Sequence, residues 1–140
     1  MSFMPDQRAV ALHDADGATV GAVLAEQRQA IAQRVREGAA GTEIVAAQTD
    51  VGDGLIIGRY RNAARQGDEA VMSAAFQHCC LVALGGYGRR EMAPYSDVDL
   101  MVLYRPEVSK IVPEFVRQVL HPLWDVGFQV GHSVRTIQDC

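Results

Sequence analysis

A short apolar run that stops at two glycines constrains the fold of this chain more than any other feature. The run HCCLVAL covers residues 78–84 and precedes Gly85-Gly86, and a second apolar run, DVDLMVLY, covers residues 97–104. Continuous apolar runs of about four to eight residues are typical of strands that are buried on both faces. The sequence therefore predicts a strand buried on both faces at residues 78–84 and a second strand at residues 97–104, joined through a glycine turn, which we define as residues 85–90.

Downstream of these strands, apolar pairs recur every four residues and predict an amphipathic helix over residues 107–125. Pro106 ends the second strand, Pro113 suits the first turn of the helix, and Pro122 should kink the helix near its end. The segment FQVGHSVRT, residues 128–136, predicts a third strand. We expect the three strands to share one sheet, with the helix packed on one face.

Three helices are predicted before the strands, and they run from Thr19 to Glu37, from Thr42 to Gln48 and from about Asp50 to Gly67. The first helix has an apolar face formed by Val20, Leu24, Ile31 and Val35. Asp50 and Asp53 resemble a capping pair at the start of the third helix. The chain thus predicts an α/β (α+β) fold with three regions: a flexible lead-in, a helical extension and a strand-containing core, at residues 1–17, 18–77 and 78–140.

Composition excludes several classes of protein. The chain has 140 residues, of which 49% are hydrophobic and 21% charged, as in a soluble globular domain. A net charge of −4 gives no global attraction to nucleic acid or to an anionic membrane, so any phosphate site must be local. No apolar run approaches the roughly 18 residues of a membrane span. Because Cys79, Cys80 and Cys140 form no disulfide framework and no signal peptide is apparent, we expect a cytoplasmic protein.

Two aspartates stand at the start of the second predicted strand. Side chains alternate along a strand, so Asp97 and Asp99 should point the same way with Cβ atoms about 7 Å apart, while Val98 points into the core. Two adjacent carboxylates repel each other, so one takes up a proton or a cation lies between them. Mg²⁺ accepts one or two carboxylates and completes its shell with water and phosphate oxygens.

The glycine turn supplies a complementary anion site. Gly85 and Gly86 lack side chains, so the backbone can approach a phosphate closely, and Arg89 offers a planar charged group that suits phosphate oxygens. A dinucleotide fingerprint would need glycine where Glu91 stands, and no P-loop sequence is present. An anion-binding turn next to a dicarboxylate strand indicates metal-assisted transfer of a nucleotide from its triphosphate.

The segment GGYGRREMAPYSDVDLMVLY resembles the signature of the polymerase-β-type nucleotidyltransferase superfamily, a glycine turn followed by arginine and Asp-x-Asp. Together with PLWDVGFQVGHSVRT, residues 122–136, it resembles one family of that superfamily, the bifunctional PII uridylyltransferase/uridylyl-removing enzymes. The resemblance covers about residues 84–136. It implies the polymerase-β-type fold, a small mixed sheet with a helical N-terminal extension.

The resemblance also implies a reaction and its residues. The family transfers UMP from UTP to a tyrosine of the PII nitrogen-regulatory protein and releases pyrophosphate. Asp97 and Asp99 are then the catalytic carboxylates that bind Mg²⁺. The residues implied to contact the UTP triphosphate are Gly85, Gly86, Arg89 and Ser96. The implied partners are PII and the nucleotide, with no nucleic acid and no membrane.

A third carboxylate, usual on the strand after the helix in this superfamily, is missing from residues 128–136. We therefore expect a truncated domain that is weakly active or inactive by itself and that self-associates through exposed apolar surface. Two alternatives stay open. One is a stand-alone nucleotidyltransferase with another protein or small molecule as acceptor, and the other is a non-catalytic domain that binds nucleotide or only a partner.

Several other residues have structural interpretations. His78-Cys79-Cys80 lacks a second pair at metal-ligand spacing and is predicted to be core, as is Trp124 on the apolar helix face. Arg90 and Glu91 are interpreted as a solvated pair. Tyr87 either stacks on a base or covers the glycine turn, and the sequence favours neither.

Overall fold

The computed structural model describes residues 17–140, so residues 1–16 of the predicted lead-in lie outside the described residues. The helices in chain order are α1 (Gly17–Arg36), α2 (Gly41–Gln66), α3 (Glu69–His78), the single turn α4 (Gly85–Gly88) and α5 (Val112–Asp125). The strands are β1 (Cys79–Ala83), β2 (Val98–Tyr104) and β3 (Val130–Arg135). Short 3-10 helices cover Pro106–Val108 and Ile137–Asp139.

The three predicted strands share one sheet, as expected. The strand order is β1-β2-β3, with β1 antiparallel and β3 parallel to the central β2. A parallel neighbour requires a crossover connection, and α5 provides it between β2 and β3. The mixed α/β architecture predicted from the sequence is therefore confirmed.

Strand β1 differs from its prediction. The run was expected to be buried on both faces, but Cys80 and Ala83 are exposed and only Cys79 is buried. Within the described sheet β1 pairs only with β2, so it is an edge strand with one open side. His78 closes α3 rather than opening the strand, and the core interpretation holds for Cys79 but not for Cys80.

Helix α5 forms most of the core next to the sheet. Its buried residues repeat at helical spacing: Val112, Phe115, Val119, Leu120 and Leu123. The helix begins at Val112 rather than at residue 107, because Pro106–Val108 forms a separate 3-10 turn, and Pro113 lies in the first turn as predicted. It continues past Pro122 to Asp125. Trp124 is 36% exposed, so its assignment to the core is wrong; its indole N–H donates to the Val130 carbonyl.

The N-terminal helices fuse where a break was predicted. Residues 42–48 and 50–66 belong to the single helix α2, so Asp50 and Asp53 lie inside it and cap nothing. Burial explains this outcome, because Leu55 and Ile56 pack into the core and offset the low helix propensity of the glycines. Helix α3 was not predicted, although Asp68 caps it by accepting a hydrogen bond from the Val71 N–H.

Helix α1 packs on α2 through three of its four predicted apolar positions. Val20, Leu24 and Ile31 are buried, whereas Val35 is 52% exposed, near the end of the helix. Buried residues of the predicted extension and of the predicted strand-containing core belong to one hydrophobic cluster. The boundary between these two regions stays a prediction. None of the helices in residues 17–140 has the length and apolarity that a membrane crossing requires.

Candidate functional site

The glycine turn leaves β1 directly beside the central strand. The Leu84 N–H donates to the Asp99 carbonyl over 2.9 Å, which ties the end of β1 to β2. The chain then enters α4 through Gly85, whose φ of +56° is a left-handed conformation that favours glycine. The Glu91 N–H donates back to the Gly86 carbonyl over 2.8 Å and closes the turn.

The Asp99 carboxylate lies between two glycines from different elements. A Cβ on Gly85 would lie 3.0 Å from Asp99 Oδ2, and a Cβ on Gly131 would lie 3.1 Å from Asp99 Oδ1. Gly131 is the register partner of Asp99 on β3. Side chains larger than hydrogen would therefore crowd the carboxylate from both sides. The two glycines keep its oxygens accessible.

Asp97 and Asp99 are both exposed and flank Val98, which is fully buried, as strand alternation predicts. Within residues 17–140, neither carboxylate takes part in an ion pair or a side-chain hydrogen bond. Two exposed, unpaired carboxylates, of which Asp99 lies between two glycines, fit a hard cation such as Mg²⁺, which accepts few protein ligands. Asp97 and Asp99 would hold it.

Within residues 17–140, no third acidic residue joins this pair. Among the described residues no group of three or more histidine, cysteine, aspartate or glutamate side chains could hold a metal ion. On β3 the residues opposite Asp99 and Met101 are Gly131 and Ser133. The site in residues 17–140 is therefore a two-carboxylate site.

Arg89 and Ser96 lie on the exposed surface around the glycine turn. Arg89 Nε donates to Glu91 Oε2 over 2.9 Å, and both side chains are largely exposed. Glu91 thus pairs with Arg89 and not with Arg90, which corrects the predicted solvated pair. The Ser96 hydroxyl donates to the Ala93 carbonyl over 2.7 Å. That Arg89 and Ser96 contact the triphosphate stays a prediction.

The side chain of Tyr87 is buried on the side of the glycine turn that faces helix α2. Its ring is 6% exposed, and its hydroxyl donates to Asp53 Oδ1 over 2.6 Å. Burial, followed by the hydrogen bond to Asp53, raises the pKa of Tyr87, so the phenol stays protonated and donates. Of the two interpretations of Tyr87, this buried position fits a residue that covers the glycine turn and not one that stacks on a base. Arg90 contacts α2 as well, through ion pairs with Asp50 and Asp53.

The sequence did not indicate these contacts or the role of Gly131. Asp50 and Asp53 are separated from Arg90 by 40 and 37 residues, and only the packing of α2 on the turn brings them together. Gly131 belongs to a predicted strand, where an isolated glycine can signal close approach of another group. This isolated glycine in a strand was the one signal in the sequence for the role of Gly131.

Replacing Gly85 with alanine should lower nucleotide transfer more than it lowers stability. The φ of +56° costs alanine roughly 1 kcal/mol, and the new Cβ lies 3.0 Å from Asp99 Oδ2 and displaces that carboxylate. Gly38, also left-handed but with open space around its Cβ position, gives the matched control Gly38→Ala. Thermal melts and transfer assays on both variants check this; equal losses of transfer would contradict it.

Residues 25–133 match the protein family described as "Putative nucleotidyltransferase DUF294". The bifunctional uridylyltransferase/uridylyl-removing enzyme of Caulobacter vibrioides is 35% identical over 108 residues, which cover 77% of this chain and 12% of that protein. The enzyme of the same name from Acinetobacter baumannii is 41% identical over 99 residues, or 70% of this chain and 10% of that protein.

A third relative of the same name, from Haemophilus influenzae, is 52% identical over 60 residues, which cover 43% of this chain and 7% of that protein. The chain thus spans about a tenth of the length of these curated relatives. No solved structure matches the chain. The family match covers most of the chain, so the chain belongs to the DUF294 nucleotidyltransferase family and is related to the bifunctional uridylyltransferase/uridylyl-removing enzymes, as its two motifs predict.

Proposed function

We propose that this chain is the part of a uridylyltransferase that transfers UMP from UTP to a tyrosine of the PII nitrogen-regulatory protein, with Mg²⁺ bound and pyrophosphate released. The observation that carries the proposal is the Asp99 carboxylate, held open between Gly85 and Gly131 next to the exposed Asp97. Its relatives are named uridylyltransferases, which supports UMP as the group that is transferred.

Each residue of the site has a distinct task in this proposal. Asp97 and Asp99 bind the cation, Gly85 leaves room beside Asp99, and the backbone of Gly85 and Gly86 lines the triphosphate. Arg89 is exposed and its pair with Glu91 is a surface contact, so phosphate oxygens can replace the carboxylate as its partner. When bound, Mg²⁺ would offset the negative charge of the triphosphate and of the leaving pyrophosphate.

The acceptor must reach the site from solvent. Both carboxylates are exposed, so a tyrosine on the surface of a partner protein can approach them without a change in the core. PII as that partner, UTP as the nucleotide and the cytoplasm as the location all belong to the proposal. The net charge of −4 gives no general attraction to nucleic acid, so charge does not favour a nucleic-acid partner.

The proposal is tested by incubating the full-length gene product with PII, Mg²⁺ and each of UTP, ATP and CTP. We expect mass spectrometry to find UMP on one PII tyrosine, only with UTP and only without a chelator. A PII variant with phenylalanine at that tyrosine is the control. Transfer of AMP or CMP in preference to UMP would contradict the proposed nucleotide, and unmodified PII would contradict the proposed acceptor.

A second candidate function is nucleotide binding without catalysis. It is favoured by one observation, the lack of a third acidic group at the site among the described residues. The same experiment separates the two functions. Tight binding of Mg²⁺·UTP without transfer to PII or release of pyrophosphate would favour the non-catalytic candidate.

A further inference from the structure

The glycine turn is joined to helix α2 by three polar contacts that the proposed reaction does not use. The Tyr87 hydroxyl donates to Asp53 Oδ1 over 2.6 Å, and Arg90 Nη1 donates to Asp53 Oδ2 over 3.2 Å. Arg90 Nη2 donates to Asp50. Asp50 and Asp53 are three residues apart, so they lie on the same face of α2. One arginine and one tyrosine of the turn thus share two carboxylates of one helix.

Packing beneath the turn supports these contacts. The ring of Tyr87 lies against Gly52, where a Cβ would be 3.3 Å from Tyr87 Cε2. Met92 and Phe128 lie on the same spot, with their nearest atoms 3.8 Å from that Cβ position. The missing side chain of Gly52 therefore lets the buried tyrosine reach Asp53. Helix α2 therefore packs against the glycine turn and supports it.

The backbone of Arg90 gives a second reason to assign these contacts a role. Its φ is +60°, a left-handed conformation that residues other than glycine rarely adopt. A strained residue persists when its surroundings hold it, and here the two carboxylates hold the guanidinium. Isolated surface ion pairs contribute little to stability, so the effect expected from this arrangement is on local geometry.

The segment that α2 holds, Tyr87 to Arg90, directly follows Gly85 and Gly86, the glycines proposed to line the triphosphate. Arg89 N–H donates to the Gly85 carbonyl over 3.2 Å, and Arg90 N–H donates to the Tyr87 carbonyl over 3.1 Å. A shift of Tyr87 or Arg90 would therefore move Gly85, whose Cβ position lies 3.0 Å from Asp99 Oδ2. The distance between the turn and the carboxylate depends on where α2 holds the other end of the turn.

We propose that Asp53, assisted by Asp50, is a positioning residue that holds the glycine turn in its nucleotide-binding conformation through Tyr87 and Arg90. This inference rests on the proposed function for the identity of the ligand. It assigns Arg90 a structural partner rather than a phosphate, and it gives the helical N-terminal region a part in nucleotide binding.

The test uses the full-length gene product with Asp53→Asn, Arg90→Gln and the double variant. Asn keeps the size of Asp and Gln keeps part of the length of Arg, but each loses its charge. The matched control is Arg117→Gln, which removes the exposed ion pair of Arg117 with Glu114, on α5. Amide hydrogen exchange of residues 86–90 without nucleotide, the Kd of Mg²⁺·UTP and thermal melting are measured for each.

We expect both single variants to exchange the turn amides about tenfold faster and to bind Mg²⁺·UTP about tenfold more weakly, with melting temperatures close to that of the control variant. The effect of the double variant should be smaller than the two single effects combined, because both single variants break the Arg90–Asp53 contact. Arg90→Gly should also bind weakly, although glycine adopts the left-handed conformation without strain.

Unchanged exchange of the turn amides in Asp53→Asn and Arg90→Gln would overturn the inference. So would weak binding in the Arg90 variants with normal binding in Asp53→Asn, because Arg90 would then contact phosphate directly. Faster exchange in a protein whose unsubstituted form binds no Mg²⁺·UTP would support the contact and overturn only the proposed function.

Discussion

Replacing Asp97 or Asp99 with asparagine should lower UMP transfer by two orders of magnitude or more while the protein stays folded. Asparagine keeps the shape of the side chain and removes the charge that would bind the proposed cation. Bound metal contributes several kcal/mol of charge stabilisation, and each ~1.4 kcal/mol corresponds to tenfold in rate. Stability should stay constant or rise slightly, because two like charges no longer face solvent side by side.

The experiment pairs UMP transfer to PII with thermal melting in the full-length gene product. Glu107→Gln serves as the matched control, because Glu107 is an exposed carboxylate in the 3-10 turn after β2. Mg²⁺ titration of nucleotide binding gives an independent readout, and we expect weaker Mg²⁺ dependence in both aspartate variants. Near-normal transfer by either variant would mean that the carboxylates are not the metal site.

Val98→Asn should have the opposite profile, with a large loss of stability. Val98 lies between the two aspartates and is 0% exposed. Asparagine there buries an amide without a partner and removes apolar contacts, at a combined cost of about 3 kcal/mol or more. That is a large fraction of the roughly 5–15 kcal/mol that stabilises a typical domain.

Urea unfolding and melting curves measure this effect, and a melting temperature lower by roughly 10 °C is expected. Val98→Ala separates the two contributions, because it removes apolar contacts without burying an amide. Transfer should fall only as far as the folded fraction falls. A Val98→Asn protein that melts normally but transfers poorly would place Val98 in the site and contradict the alternation on which the Asp97 and Asp99 assignment rests.

The strands and the directions of the two aspartates could be predicted because their signals are local. Alternation fixes the directions of Asp97, Val98 and Asp99 from three consecutive residues, and the burial of Val98 agrees. All five buried positions of α5 likewise fall within the apolar pairs that predicted it, although Trp124 of the last pair is exposed. In both cases the information lies within one element.

Features that depend on packing between distant elements could not be predicted. Helix α2 continues through Asp50 because Leu55 and Ile56 are buried by neighbours, and no local pattern reports that burial. Arg90 meets Asp53 across 37 residues for the same reason. Strand β1 was predicted to be buried on both faces because its apolar composition does not reveal that it stands at an edge of the described sheet.

The central position of β2 has a consequence for how such a domain can diversify. Both neighbours of β2 pair with it along most of its length, so the register of Asp99 is fixed twice, opposite Leu84 and opposite Gly131. Insertions, bulges or added strands at β1 or β3 would leave that register unchanged. Proteins that evolve from this fold are therefore expected to bind new acceptors through changes in β1 and β3, while Asp97 and Asp99 are retained.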